Sequence, residues 1–323
     1  MTAALVRPTD LRDLDVLDAV IVGAGPAGLS AALILARCRR RVLVVDDGRP
    51  RNRMSRAVHG FLTRDGTPPA ELLRLAREQI ARYRTVRIEQ GHVRNAACAP
   101  DGFLVQLADD RRFTAPTLLL ATGVIDRLPD RPGFEEFYGR GVYPCPYCDG
   151  WEVRDRPIAA YGRGSPVARL AVTLTTWTDD VVVCTDGPSE LSAEDLRQLE
   201  AHHVTVCTKS VEALDGDEDG LQAIRFTDGS RLARAALFVA LGMVQRSDLA
   251  ANLGCPVSED HGAETDALAR TVVRGLFVAG DASRDVALAV VAAAEGAEAA
   301  FAMNKLLLEL AAANRNTAGP SRS

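Results

Sequence analysis

The chain has 323 residues, 47% of them hydrophobic and 25% charged, which excludes a disordered or collagen-like protein. Its length suits about two domains. Its formal net charge of −5 argues against a nucleic-acid protein, which needs a concentrated basic face, and apolar runs such as residues 118–121 fall far short of the ~20 needed to span a membrane.

Residues 1–18 carry Arg7, Asp10, Arg12, Asp13, Asp15 and Asp18 and no apolar h-region. No secretory signal is therefore expected, and the cytoplasm is the expected location. A β-branched run at residues 18–22 leads into Gly23-Ala24-Gly25-Pro26-Ala27-Gly28, then into an apolar helical stretch at 29–36. A second strand at 41–45 ends in Asp46. This is a βαβ unit with a GxGxxG turn. Gly23 permits the tight turn, Gly25 lets backbone approach a pyrophosphate, and Gly28 lets helix pack on strand. The helix N-terminus favours phosphate, and Asp46 would accept hydrogen bonds from ribose hydroxyls.

Hairpin signals follow at Asp109-Asp110-Arg111 and at Asp228-Gly229-Ser230. Between them lies a second, poorer copy of the first unit. A strand at 157–161 runs into Gly162-Arg163-Gly164-Ser165-Pro166-Val167, a helix, and a strand at 181–184. The third glycine has become Val167, which would push helix from strand. The chain closes with a strand and loop at 275–281, an Ala-rich helix from about Val286 to Ala313, and a frayed tail after Asn314.

Seven cysteines, odd in number and scattered, are not a secreted disulfide scaffold. Cys145 and Cys148 alone are close, in Cys-Pro-Tyr-Cys. A zinc site would need a second Cys/His pair, and none stands nearby, so no metal is expected. A structural disulfide does not suit a reducing cytoplasm, and two inert core thiols fit the spacing equally.

The Gly23–Gly28 turn, Ala121-Thr122-Gly123, Cys145-Pro146-Tyr147-Cys148 and residues 276–281, in this order, resemble the low-molecular-weight thioredoxin reductases. The resemblance implies an α/β fold of two Rossmann-like nucleotide-binding domains, the second inserted in the first. Residues 1–124 and 243–323 would form the FAD-binding domain, and 125–242 the inserted module with the redox pair. It further implies a homodimer and FAD held by Gly23, Gly25, Pro26, Ala27, Gly28, Asp46, Ala121, Thr122, Gly123, Gly280 and Asp281. Asn52, His59 and Val93 occupy positions where the family lines its flavin. His59 reads equally as a solvated loop residue, Val93 as an ordinary strand valine and Asp281 as a helix cap. Beside a flavin fold, the cysteine pair reads as a catalytic dithiol/disulfide. By resemblance Cys148 would lie against the flavin and Cys145 would face the substrate. Asp149 would be the general acid/base, its plain alternative being a turn residue before Gly150.

One departure alters the expected activity. NADPH-using members carry clustered arginines after the second Gly-rich unit, to grip the 2′-phosphate. Residues 183–190 have no arginine and two carboxylates, Asp186 and Glu190. A degenerate NADPH site is expected, and electrons running in reverse. This resembles the dithiol oxidases of the gliotoxin, holomycin and romidepsin type. These close a disulfide in a small sulfur-containing natural product and pass the electrons through FAD to O2, giving hydrogen peroxide. Tyr143, Pro146 and Tyr147 suit a small dithiol substrate. The alternatives are an NAD(P)H-dependent disulfide reductase acting on a thioredoxin-like protein, and a flavin-binding regulatory protein without turnover.

Overall fold

Parallel strands buried on both faces read as continuous runs of Val, Ile and Leu, and the segments 19–22, 42–45, 118–120 and 181–183 follow this pattern. The computed structural model describes residues 16–258, 262–283 and 286–317. Most of the charged leader and the tail beyond Thr317 lie outside the described residues.

The chain forms two compact units. The first comprises residues 1–50, 73–123 and 245–323, and the second residues 51–72 and 124–244. In the first, five parallel strands stand in the order Leu276–Val278, Thr117–Leu120, Ala19–Val22, Val42–Asp46, Val86–Gln90. Alternate side chains of each strand serve opposite faces. Val20, Leu43 and Leu118 meet Phe103, Val105 and Leu107 of an antiparallel meander. Ile21, Val44 and Phe277 meet Leu35 of the helix Pro26–Arg37 and Met303 of the helix Ala289–Thr317.

The second unit repeats this plan. Its parallel strands run Thr205–Cys207, Val181–Cys184, Ile158–Tyr161, Ala236–Val239, Val142–Tyr143. A meander carrying Val211, Ile224 and Phe226 covers one face, and the helix Gly164–Leu174 covers the other with Val167 and Ala171. In both units the order reverses beside the first strand, so a crevice opens at the carboxyl ends of the strands on either side of it.

Two differences from the sequence reading have physical causes. The last helix is Ala289–Thr317 rather than about 286–313: residues 286–288 are not helical, and residues 314–317, read as the start of a frayed tail, continue the helix with no glycine or proline among them. Residues 51–72, grouped by sequence with the first segment, pack with the inserted unit instead. Arg51 forms a two-pronged pair with Asp126, at 2.6 and 2.8 Å, and the Tyr138 hydroxyl donates to the same carboxylate. Gly139 lies so close to the Met54 carbonyl that a Cβ there would be 2.6 Å from the oxygen.

Candidate active site

The first Gly-rich turn lies at the crevice of the first unit, between the ends of Ala19–Val22 and Thr117–Leu120. Its glycines do three different things. Gly23 has φ +103° and sits against Ala121, where a Cβ would be 2.2 Å from the carbonyl oxygen. A Cβ on Gly28 would be 1.9 Å from the Gly23 carbonyl. A Cβ on Gly25 would meet nothing within 4 Å. Gly25 is also the N-cap of Pro26–Arg37 and offers no side-chain cap to the first-turn amides. Open space in front of uncapped helix amides fits the pyrophosphate of a dinucleotide such as FAD.

Ala121, Thr122 and Gly123 border the same crevice, and Ala121 is tied by its N–H to the Val22 carbonyl at 2.8 Å. Asp46 accepts from the Ala24 N–H at 3.1 Å and from Arg77 at 2.7 Å. Its carboxylate therefore braces the turn from behind, a role and a partner the sequence reading missed. Gly280 has φ +79° and donates its N–H to the buried Glu295 carboxylate at 2.7 Å. Asp281 is half-buried beside it, and Val93 is buried at the head of Val93–Ala99. Asn52 and His59 belong instead to the second unit, the one carrying the cysteines.

Cys145 and Cys148 form a disulfide. Cys145 is extended and acts as N-cap of the single turn Pro146–Asp149, with Pro146 at the first helical position. Proline there presets the helical φ and lacks only an N–H that would be unpaired anyway. Among the described residues no group of side chains suits a metal ion. Tyr147 is 72% exposed, with its ring edge-on to Trp177 at 5.8 Å, and Trp151 is 64% exposed beneath the Arg154 guanidinium. Gly150 has no room for a side chain, since its Cβ would be 2.7 Å from the Trp177 ring.

Asp149 opens onto a cavity of 280 Å³ lined also by Arg56, His59, Arg140, Tyr143 and Glu152. Burial, and then the negative charge of Glu152, push the Asp149 carboxyl up to about 7, with His59 pulling the other way. Burial and the Asp149 charge push Tyr143 up to about 12. His59 stands 3.5 Å from Glu152 and 3.5 Å from Asp65. Glu152 was not singled out from sequence. Its one signal was its place three residues after Asp149, which puts both on one side of a helical turn.

The second Gly-rich turn is filled by the chain itself. Gly164 gives its N–H to the Ser189 carbonyl at 2.9 Å, and a Cβ there would be 3.5 Å from the Glu190 carbonyl oxygen. Arg163 donates to the Thr185 carbonyl at 3.1 Å and the Asp186 carbonyl at 2.6 Å, and pairs with Glu190 at 3.4 Å. Asp186 accepts from Tyr161, Arg131 and the Val211 N–H. Ser165, in the first turn of the helix, donates to Asp195 at 2.9 Å. Val167 is fully buried in the sheet–helix core.

Residues 17–296 match the model of the pyridine nucleotide-disulphide oxidoreductases. The chain belongs to this family. It is similar to a probable thioredoxin reductase of Arthroderma benhamiae, 33% identical over 83% of this chain and 74% of the relative. It is 32% identical to thioredoxin reductase tcpT of Claviceps purpurea, over 83% of this chain and 87% of the relative. The crystal structure of HlmI superimposes with a TM-score of 0.88 at 38% identity, covering 94% of this chain and 96% of that one. The protein is thus a thioredoxin reductase-like disulfide oxidoreductase of α/β fold, and Cys145–Cys148 is its disulfide. No helix among the described residues is long and apolar enough to cross a membrane.

Proposed function

We propose that this oxidoreductase is an FAD-dependent dithiol oxidase that closes an intramolecular disulfide in a small sulfur-containing molecule. The observation that carries the reading is the contrast between the two Gly-rich turns. The first presents open space at Gly25, and the second has its Gly164 amide bonded to Ser189. A chain with one dinucleotide turn open to a pyrophosphate suits a flavin without a nicotinamide reductant. The 280 Å³ cavity beside Asp149 supports a small-molecule substrate.

In this reading a substrate thiolate attacks the Cys145 sulfur. The Cys145–Cys148 bond breaks, and the electron pair leaves on Cys148. Asp149, held near neutrality, gives its proton to the departing Cys148 thiolate and takes it back before that sulfur is oxidised again. The second substrate thiolate then attacks the substrate sulfur of the mixed disulfide, releasing Cys145 and the cyclic product. Tyr143, Pro146 and Tyr147 flank the pair and would orient the substrate. Gly23, Gly25, Gly28, Ala121–Gly123 and Gly280–Asp281 would hold FAD, which when bound supplies a two-electron acceptor for the dithiol and delivers the electrons to O2 as hydrogen peroxide.

Anaerobic flavin absorbance tests this directly. NADPH and NADH should leave the yellow enzyme unchanged, dithiothreitol should bleach it, and air should restore it with one peroxide formed per dithiol. Rapid bleaching by NADPH would overturn the proposal in favour of a disulfide reductase.

A further inference from the structure

The disulfide chemistry above makes no use of Cys184 and Cys207. Cys184 ends the strand Val181–Cys184 and Cys207 ends Thr205–Cys207. The strands are parallel neighbours, and the two cysteines are register partners. Register partners on adjacent parallel strands point to the same face and sit about one strand spacing apart, roughly 4.7–4.9 Å. That lies inside the ~4.4–6.8 Å between Cα atoms that a disulfide spans. Both side chains pack in the same apolar cluster.

Their environments differ. Cys184 is fully buried, and Cys207 is half-exposed. Burial, together with the neighbouring Cys207 sulfur, pushes the Cys184 thiol up to about 12. Alone it would be inert, whereas Cys207 is only partly covered. Cys38 and Cys98 are exposed and Cys255 is buried, and none of the three has a cysteine as strand partner among the described residues.

We propose that Cys184 and Cys207 are a second, latent dithiol, which hydrogen peroxide converts to a disulfide. In the first step the Cys207 sulfur attacks peroxide, the O–O bond breaks, and a sulfenic acid and one water form. In the second, the Cys184 sulfur attacks the Cys207 sulfur. The S–O bond breaks, and the departing hydroxide leaves as water with the Cys184 proton. Two thiols and one peroxide give one disulfide and two waters. A bond at this place lies at the root of the loop that fills the second Gly-rich turn, because the Thr185 N–H already donates to the Cys207 carbonyl at 3.0 Å. Oxidation would staple that loop in its closed position. The inference is independent of the oxidase reading, since the peroxide can be supplied as a reagent.

The test is peptide mapping of the full-length protein after peroxide treatment. Remaining thiols are alkylated in denaturant, and digestion and mass spectrometry are run without reductant. A peptide pair joined through positions 184 and 207, lighter by two hydrogens, is expected. Cys207→Ser should abolish it and leave the Cys145–Cys148 link intact. In Cys184→Ala, Cys207 should run on to the sulfinic acid instead. Recovery of both thiols as alkylated species would overturn the proposal. So would wild-type Cys207 found as sulfinic acid beside alkylated Cys184, or joined to Cys38 or Cys98.

Discussion

Asp149 shows how a residue takes on chemistry from its surroundings. An ordinary aspartate is ionised at neutral pH and cannot give a proton; burial and Glu152 hold this one near 7. Dithiol turnover that uses its protonated form should fall as pH rises through about 7. Asp149→Asn should flatten that limb and slow kcat/KM by roughly 10²–10⁴-fold, the usual worth of a positioned acid or base. Glu152→Gln removes a negative neighbour, so the limb should move to lower pH; a pH–rate profile checks both variants. Cys148→Ser should stay yellow and lose turnover. Gly25→Val makes a separate prediction. Its backbone is extended at φ −75°, ψ −174°, and its Cβ would meet no atom. The variant should therefore fold with unchanged circular dichroism yet purify colourless. At this scale the sequence was legible wherever a residue type has one use, as in Gly23 and Gly28, where a Cβ would strike backbone. It was not legible for Arg77 or Glu152, because a charged residue pairs with whatever the fold brings near it.

Elements were the most readable level. Apolar β-branched runs declared the parallel strands at 19–22, 42–46, 158–161, 181–184 and 276–278. Val86–Gln90, Val142–Tyr143 and Thr205–Cys207 were too short or too polar to stand out, and Ala236–Val239 was missed. Both hairpins fell where the Asp-containing turns stood. The closure of the second Gly-rich turn was not visible. It joins one backbone bond, Gly164 to Ser189, to the reach of Arg163 onto the Thr185 and Asp186 carbonyls, at residues of positive φ (Asp186, Gly187 and Glu190), and sequence pattern does not announce them. The helix Ala193–Ala201 that follows begins with a capping box in which Ser192 and Asp195 satisfy each other's backbone N–H. Asp195 also holds Ser165 of the helix Gly164–Leu174. Ser192→Ala should cost about 1 kcal/mol from the cap alone, read as a lower midpoint in urea with an unchanged slope. An unaltered midpoint would mean that the cap does not stabilise the folded chain.

For the whole molecule, the repeat of parallel sheet and helix was legible as two βαβ copies, while the meanders showed only as single hairpins and the grouping of residues 51–72 did not show. That segment has little periodicity, and side chains far along the chain decide where it packs. Each unit has its own pair of apolar clusters. Under the proposed cofactor assignment, FAD binds the folded first unit and should stabilise that unit by about 2.7 kcal/mol at 100 times its Kd. Calorimetry with and without FAD should show an upward shift in the transition of the first unit alone; equal movement of all unfolding heat would show that the units melt together.

The Arg51–Asp126 pair bears on how the redox module can be cut out and reused. Trimming the gene to codons 124–244 looks like a clean excision, yet it discards the guanidinium that clasps a carboxylate only 6% exposed. Stripping one partner from a buried ion pair costs about 3–5 kcal/mol, a large share of the ~5–15 kcal/mol that keeps a domain folded. A transplantable version must carry residues 51–72 along, spliced ahead of Val124 or supplied as a separate peptide.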